Sequence, residues 1–224
     1  MKKFLLKSTI PLFAFGLMLF CSGCLFGTQS YSEVRYYDLG NPTQTAPENV
    51  FAKFMLFSTT EPVKYKMVYR AKDCRILIDD YNKWVQPPGF LITRYLQAAF
   101  RQKKYSHKPK VEFIIDGTIY MFKIDLKEAK AYLGVTYNID RKMLGADKFL
   151  SQNSLVFTAP IKQENPSGFA EAMSQCAAQL AAKMSKDLIK LRQNENVING
   201  NSNKNKNNNA KIPAPKVEKI RNKK

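Results

Sequence analysis

The chain offers few side chains that could take part in catalysis. Its single histidine, His107, lies in a lysine-rich stretch that runs from Lys103 to Lys110. A histidine that activates a nucleophile must be oriented by a carboxylate and lie beside a serine or cysteine, whereas the neighbours of His107 in sequence are lysines. No glycine-rich loop that could cradle a phosphate is present. We therefore expect His107 to be a solvated loop residue, and we expect that the protein is not an enzyme.

Residues that could hold a metal ion are equally sparse. One histidine and two cysteines far apart in the folded part of the chain cannot form a standard zinc set. Carboxylates cluster only at Asp79-Asp80 and at Asp125 and Glu128, without the spacing of an EF-hand. These carboxylates could bind calcium weakly. A role in turns or at the start of a helix is sufficient, however, to explain both pairs. We expect no metal and no cofactor.

The cysteines of the folded part are Cys74 and Cys176. Cys74 begins an alternation with Ile76 and Ile78 that predicts one buried strand face. Cys176 falls on the apolar side of a predicted helix. Both thiols are therefore expected in one core, where a Cys74–Cys176 disulfide could form in an oxidising compartment. Two free buried cysteines are the alternative, because free cysteine is commonly buried.

The segment from Cys74 to Phe100 organises the rest of the chain. It predicts a strand, a turn that contains the only tryptophan, Trp84, and an amphipathic helix after Pro87 and Pro88. Trp84, with Tyr81 and Pro87, could contact a partner, because an exposed aromatic residue is a frequent hot spot. The alternative, which we favour, is that Trp84 fills the junction between sheet and helix.

The remaining pattern predicts strands on both sides of this segment and a second helix at the end of the folded part. The expected fold is α+β, a single domain with a mixed, largely antiparallel sheet and two helices packed on one face. A short link from Asp125 to Glu128 predicts an antiparallel hairpin. The predicted strands cover 32–39, 51–57, 64–70, 111–124, 129–139 and 149–159, and the second helix opens at Asn165-Pro166.

The N-terminus has the pattern of an export signal. Lysines precede an apolar run from Ile10 to Phe20, which is too short to span a bilayer comfortably. Ser22, Gly23 and Cys24 follow, and they resemble the lipobox of bacterial lipoproteins, although Cys21 stands where leucine is preferred. We expect residues 1–23 to be a signal peptide and Cys24 to be lipidated.

Lipidation of Cys24 would place the protein in the cell envelope. Two or three acyl chains, such as palmitate, give stable anchoring, and residues 24–31 would form a lipidated tether. Leu25 rather than aspartate follows the anchor, so we expect attachment to the outer membrane, facing the periplasm. An ordinary signal peptide with a chance cysteine is the alternative.

The net charge of +18 would suggest a nucleic acid in a cytosolic protein. An exported protein does not meet the genome, so we expect no nucleic-acid partner. Acidic lipid head groups or an acidic protein surface are plausible instead, and a general bias toward lysine that aids solubility is the alternative.

A change of composition at Gln193 separates a domain over 32–192 from a tail over 193–224. The tail is rich in asparagine and lysine and has no hydrophobic period. Such a segment buries too little apolar surface to offset its ordering entropy. We expect a disordered basic tail, which either contacts acidic surfaces or has no specific partner.

The order of these elements resembles the ABC-type transport auxiliary lipoproteins, the PqiC-like family. The resemblance rests on Tyr36-Tyr37-Asp38-Leu39, the Trp84 segment, the long strands and the closing alanine-rich helix. It implies an α+β sandwich and a non-catalytic, membrane-anchored component of an intermembrane lipid transport system. The implied partners are a mammalian-cell-entry type substrate-binding protein and its ABC permease and ATPase, and a homo-oligomer stays open.

A second hypothesis is an envelope-structural lipoprotein that regulates peptidoglycan synthesis or pilots a secretion complex. A small α+β domain on a tether would serve either role, so the sequence does not separate them.

Overall fold

The computed structural model describes residues 32–47, 50–60, 64–101, 112–143 and 147–209, with the backbone alone over 195–209. The chain divides into two units, 1–33 and 34–224, and the fold described below belongs to the second. The expected signal peptide, Cys24 and His107 lie outside the described residues.

The second unit has the α+β class that the sequence predicts, and its described residues form eight strands in one mixed sheet and two helices. The elements are β1 (Arg35–Tyr37), β2 (Phe51–Phe54), β3 (Ser58–Thr59), β4 (Lys66–Arg70), β5 (Ile76–Trp84), α1 (Pro88–Ala99), β6 (Glu112–Asp125), β7 (Lys130–Arg141), β8 (Lys148–Pro160) and α2 (Pro166–Asn209).

Strand β6 is the centre of the sheet, whose main order is β1-β5-β4-β6-β7-β8. On one side β6 forms the predicted antiparallel hairpin with β7, and β7 pairs in turn with β8. On its other side β6 pairs in parallel with β2 and β3 and, near its end, with β4. The long ladders are therefore antiparallel and the short ones mostly parallel.

Helix α1 buries the face that its periodicity predicts. Pro88 occupies the first turn, where its missing N–H costs no hydrogen bond. Thr93 joins the helix to the chain before β3, because its hydroxyl accepts a hydrogen bond from the Phe57 amide at 2.9 Å. The predicted apolar residues are all buried: Leu91, Ile92, Tyr95, Leu96, Ala99 and Phe100.

Helix α2 begins as predicted, with Asn165 as its N-cap. The Asn165 side chain accepts a hydrogen bond from the Gly168 amide at 2.8 Å. The helix lies over the sheet and contributes to the same core as α1. The apolar stripe that contains Cys176 is buried: Phe169, Met173, Cys176, Leu180, Met184 and Leu188.

The helical backbone of α2 continues to Asn209, which differs from the disordered tail predicted to begin at Gln193. Once packing has nucleated a helix, each further residue extends it at little cost in free energy. The prediction of a disordered tail considered residues 193–224 as a segment separate from this helix. The rest of the predicted tail, 210–224, lies outside the described residues.

Strand β5 differs most from expectation. Cys74 precedes the strand in a turn with a φ of 69°, and Ile76 and Ile78 are 59% and 49% exposed. The predicted buried face is therefore wrong. Ile78 pairs with Val68 of β4, whose neighbours Met67 and Tyr69 point into the core. A period of two does not reveal which face is covered, and here the apolar face lies away from the helices.

Candidate binding cleft

Trp84, the first predicted contact residue, lies in the interior. It is the last residue of β5, is 3% exposed, and packs edge-on against Phe122 at a centroid distance of 5.1 Å. This geometry matches the favoured interpretation, in which Trp84 fills the junction between sheet and helix. Tyr81 is 52% exposed, and Pro87 is half-buried at the start of α1. The structure therefore does not bring these three side chains together on one surface.

The two cysteines of the domain are free, and the structure does not bring them together. Cys74 is exposed and Cys176 is buried. Burial raises the pKa of the Cys176 thiol to about 12, so this thiol stays protonated and unreactive at neutral pH. The expected position of Cys74 in the core is wrong, because its left-handed turn places it outside the sheet.

The carboxylate of Asp79 stabilises a bend in β5 through hydrogen bonds. Its carboxylate accepts hydrogen bonds from the Tyr81 and Asn82 amides at 2.9 and 2.8 Å and from the Tyr69 hydroxyl at 2.7 Å. Burial alone would raise the pKa of Asp79, but these hydrogen bonds hold that pKa below its ordinary value. The predicted role of this carboxylate in a turn is sufficient to explain its position.

Asp125 closes the β6–β7 hairpin. One carboxylate oxygen accepts the Lys127 and Glu128 amides, each at 3.0 Å, and the other accepts the Arg70 guanidinium at 3.2 Å. Burial would raise the pKa of Asp125, yet these donors lower it overall. Within the described part of the chain, no group of three or more His, Cys, Asp or Glu residues is placed to hold a metal ion.

The face of the sheet away from α1 and α2 carries no helix among the described residues and is called the helix-free face. It contains an open cleft of about 500 Å³, which the sequence did not predict. Tyr36 of β1 pairs with Lys83 of β5, and Lys83 pairs with Lys66 of β4. These three side chains form one row across three strands, on the face opposite buried Trp84 and Met67. The remaining lining residues are Lys64, Tyr65, Ile78 and Val85.

The Asp79 turn gives the cleft its shape. The pairing of β4 with β5 is regular from Ile76 to Ile78 but shifts before Lys66 and Lys83 meet. The extra residues of β5 between these registers are those that Asp79 folds through its hydrogen bonds to Tyr81 and Asn82. This bulge bends the strand and lets apolar Ile78 and basic Lys83 line the same cleft.

The cleft combines exposed apolar side chains with positive charge. Tyr36 is 62% exposed, Tyr65 47% and Val85 42%. Lys66 forms an ion pair with Asp80. Among the described residues, neither Lys64 nor Lys83 has a carboxylate partner, so the positive charges of the cleft outnumber the negative ones.

A local signal for the cleft existed in Lys64-Tyr65-Lys66, where an aromatic residue is placed between two lysines. The cleft depends, however, on pairing between β1, β4 and β5. Those registers join residues that are far apart in sequence, and no local pattern specifies them.

Comparison with known proteins identifies a shared fold. No protein-family model and no curated protein matches the chain. The crystal structure of an uncharacterized protein has a TM-score of 0.54 and 12% identity, over 70% of this chain and 99% of that chain. A Xanthomonas campestris protein of family DUF330 also has a TM-score of 0.54, with 13% identity over 73% of this chain and 99% of that chain. At these identities the likeness shows the fold alone.

A Caulobacter crescentus protein described as a lipoprotein has 14% identity over 46% of this chain and 81% of that chain. Its TM-score of 0.28 is too low to indicate a shared fold. Separately, none of the helices in the described residues has the length and apolar character needed to cross a bilayer.

Proposed function

We propose that the protein is a lipid-anchored envelope protein that serves as a non-catalytic auxiliary component of an ABC-type intermembrane lipid transport system. The observation that carries this proposal is the lysine-lined apolar cleft on the helix-free face of the sheet. A concave site that combines exposed aromatic and aliphatic side chains with lysines that have no carboxylate partner among the described residues suits the recognition of acidic amphiphilic molecules.

The proposed location follows from the N-terminal sequence. Cleavage before Cys24 and acylation of its thiol would anchor the chain to the outer membrane, facing the periplasm. Residues 24–31 would then hold the domain near the membrane surface. An acidic membrane surface attracts lysine side chains within about a Debye length. The basic charge of the domain would therefore favour its contact with the membrane.

The proposed partners are a mammalian-cell-entry type substrate-binding protein and its ABC permease and ATPase. The role of this chain is to bind and to dock rather than to drive transport. Self-association into a homo-oligomer is compatible with this role, because the outer edge of β8 has no strand beyond it in the described sheet.

The test is affinity purification of the tagged, lipidated protein from crosslinked native membranes, followed by mass spectrometry. The proposal predicts recovery of a mammalian-cell-entry protein together with its permease. A Cys24→Ser variant is the control, and the recovery should fall because the variant lacks the anchor.

Recovery of cell-wall synthases or a secretin without any transporter subunit would overturn the proposal. That result would favour the envelope-structural lipoprotein as the function.

A further inference from the structure

We propose that the cleft binds a single anionic amphiphile, with an acyl chain against its apolar residues and the acidic head group at Lys64 and Lys83. This inference rests on the proposed function and deepens it by naming the class of ligand. The cleft is lined by Tyr36, Lys64, Tyr65, Lys66, Ile78, Lys83 and Val85.

The apolar side chains of the cleft are exposed to solvent and lie next to one another. Tyr36, Tyr65, Ile78 and Val85 come from three neighbouring strands or their ends, and each is more than two-fifths exposed. Contiguous apolar side chains that are left in water mark a binding surface more often than isolated ones do. An acyl chain would remove this surface from water without requiring any hydrogen bond.

Among the described residues, Asp80 is the only carboxylate paired with a lysine of the cleft. Lys66 and Lys83 are direct partners across antiparallel strands, an arrangement in which like charges repel. Asp80 neutralises Lys66, whereas no carboxylate among the described residues is paired with Lys83 or Lys64, so we infer that their ammonium groups contact the ligand. A phosphate or carboxylate group of a ligand would neutralise these ammonium groups.

The size of the cleft favours a small ligand over a protein. Its volume of about 500 Å³ falls within the range of about 300–1,000 Å³ that is typical of small-molecule sites. A stable protein interface needs roughly 800 Å² from each partner, which is a broad surface rather than a cleft with few lining residues.

Trp84 provides a built-in reporter of occupancy. It is the only tryptophan, and it lies between the lining residues Lys83 and Val85. Its amide donates a hydrogen bond to the carbonyl of Tyr65 at 2.6 Å. The indole lies on the face of β5 opposite the cleft, so quenching of its fluorescence by a bromine-labelled acyl chain in the cleft acts across the thickness of one strand.

The experiment uses the full lipidated chain in vesicles of unlabelled phosphatidylcholine, so that Trp84 is the only tryptophan in the sample. The probe is bromine-labelled lysophosphatidylglycerol, and the matched probe is lysophosphatidylcholine with the same labelled chain. We expect saturable quenching of Trp84, with tighter binding of the anionic probe. In the Lys64→Gln/Lys83→Gln variant the anionic probe should bind on the order of tenfold more weakly, with little change for the zwitterionic probe.

Matched variants separate the cleft from general surface effects. Lys130→Gln removes an exposed lysine at the start of β7 and should leave binding unchanged. Val85→Ser should weaken both probes, whereas Val156→Ser should not, although Val85 and Val156 are similarly exposed at 42% and 48%. Inorganic phosphate should displace the probe only at far higher concentration, because it lacks the acyl chain.

Three results would overturn the inference. The first is quenching of Trp84 that does not saturate with probe concentration. The second is that Lys130→Gln weakens binding of the anionic probe as much as the double lysine variant does. The third is that inorganic phosphate displaces the probe as effectively as unlabelled lysophosphatidylglycerol does. Recovery of transporter subunits from membranes does not depend on this result, so failure of the ligand inference and failure of the proposed function can be distinguished.

Discussion

Lys66 and Lys83 face each other across the antiparallel strands β4 and β5, and among the described residues only Lys66 of the two is paired with a carboxylate, that of Asp80. The row continues to Tyr36 on β1. A pair of opposed lysines contributes nothing favourable to the sheet itself. The arrangement is explained if the positive charge binds a ligand. The protein would then gain ligand affinity from the two lysines and lose some stability of the sheet.

The first prediction tests that compromise with Lys83→Glu. We expect the free energy of unfolding to rise by about 0.5 kcal/mol, because a like-charge cross-strand pair becomes an opposite-charge pair. Binding of an anionic amphiphile should be lost at the same time. Urea denaturation measures the stability, and Lys130→Glu is the control that should change neither property. A Lys83→Glu variant that is less stable than the wild type would contradict this account of the row.

The second prediction concerns Trp84 and Tyr81. Trp84→Ala should lower the free energy of unfolding by about 3–5 kcal/mol, because a large buried ring is removed from the core. Tyr81→Ala should stay within about 0.5 kcal/mol of the wild type, because that side chain is mostly exposed. Chemical denaturation followed by circular dichroism measures both. A near-neutral Trp84→Ala would restore the interpretation of Trp84 as a surface contact.

The third prediction concerns Asp125, whose side chain is 2% exposed beside Arg70. Asp125→Asn should destabilise the domain by about 2–3 kcal/mol at neutral pH, since it weakens hydrogen bonds to a buried charge. Burial would raise the pKa of Asp125, but the hairpin amides and Arg70 lower it below the ordinary 3.8. Its stabilisation is therefore complete above that ordinary value and is lost as the pH falls through the folded-state pKa.

The pH dependence supplies the check on this assignment. The stability difference between wild type and Asp125→Asn should be constant near neutrality and should shrink on acidification below about pH 4. Urea titrations at several pH values measure it. A difference that grows in acid would show that the carboxylate is not stabilised in its charged form.

The fourth prediction concerns the two free cysteines. Cys74 should react with maleimide in the folded protein, because it is exposed in its turn. Cys176 should react only after unfolding, because it is buried and the pKa of its thiol is raised to about 12. Mass spectrometry of the labelled protein in and out of denaturant measures both sites. A Cys74–Cys176 disulfide in the native protein would refute the placement of both residues.

The sequence predicted those parts of the fold that local periodicity controls. The bounds of the β6–β7 hairpin agree with the predicted strands to within two residues at each end. The stripes of α1 and α2 are buried as expected, because a helix with one apolar face has only one way to bury it. Gly117 lies at a close approach of β6 to the chain before β3, because a Cβ atom there would lie 2.5 Å from the Phe57 ring.

The sequence could not predict features that depend on long-range pairing. The apolar alternation in β5 was recognised, but Ile76, Leu77 and Ile78 are all exposed, and the neighbouring β4 supplies the core-facing residues Met67 and Tyr69. Trp84 was placed in a turn, whereas it ends the strand. The cleft escaped prediction for the same reason, since it exists only where β1, β4 and β5 pair.

The most direct test of the account is photocrosslinking from the cleft in native membranes. A benzophenone amino acid at position 85 of the full, lipidated chain should form adducts with the mass of a membrane lipid after irradiation. The same amino acid at position 156, which is similarly exposed on β8, should form few. Equal lipid adducts at both positions, or none at position 85, would contradict the claim that this protein acts by holding an anionic lipid in its cleft.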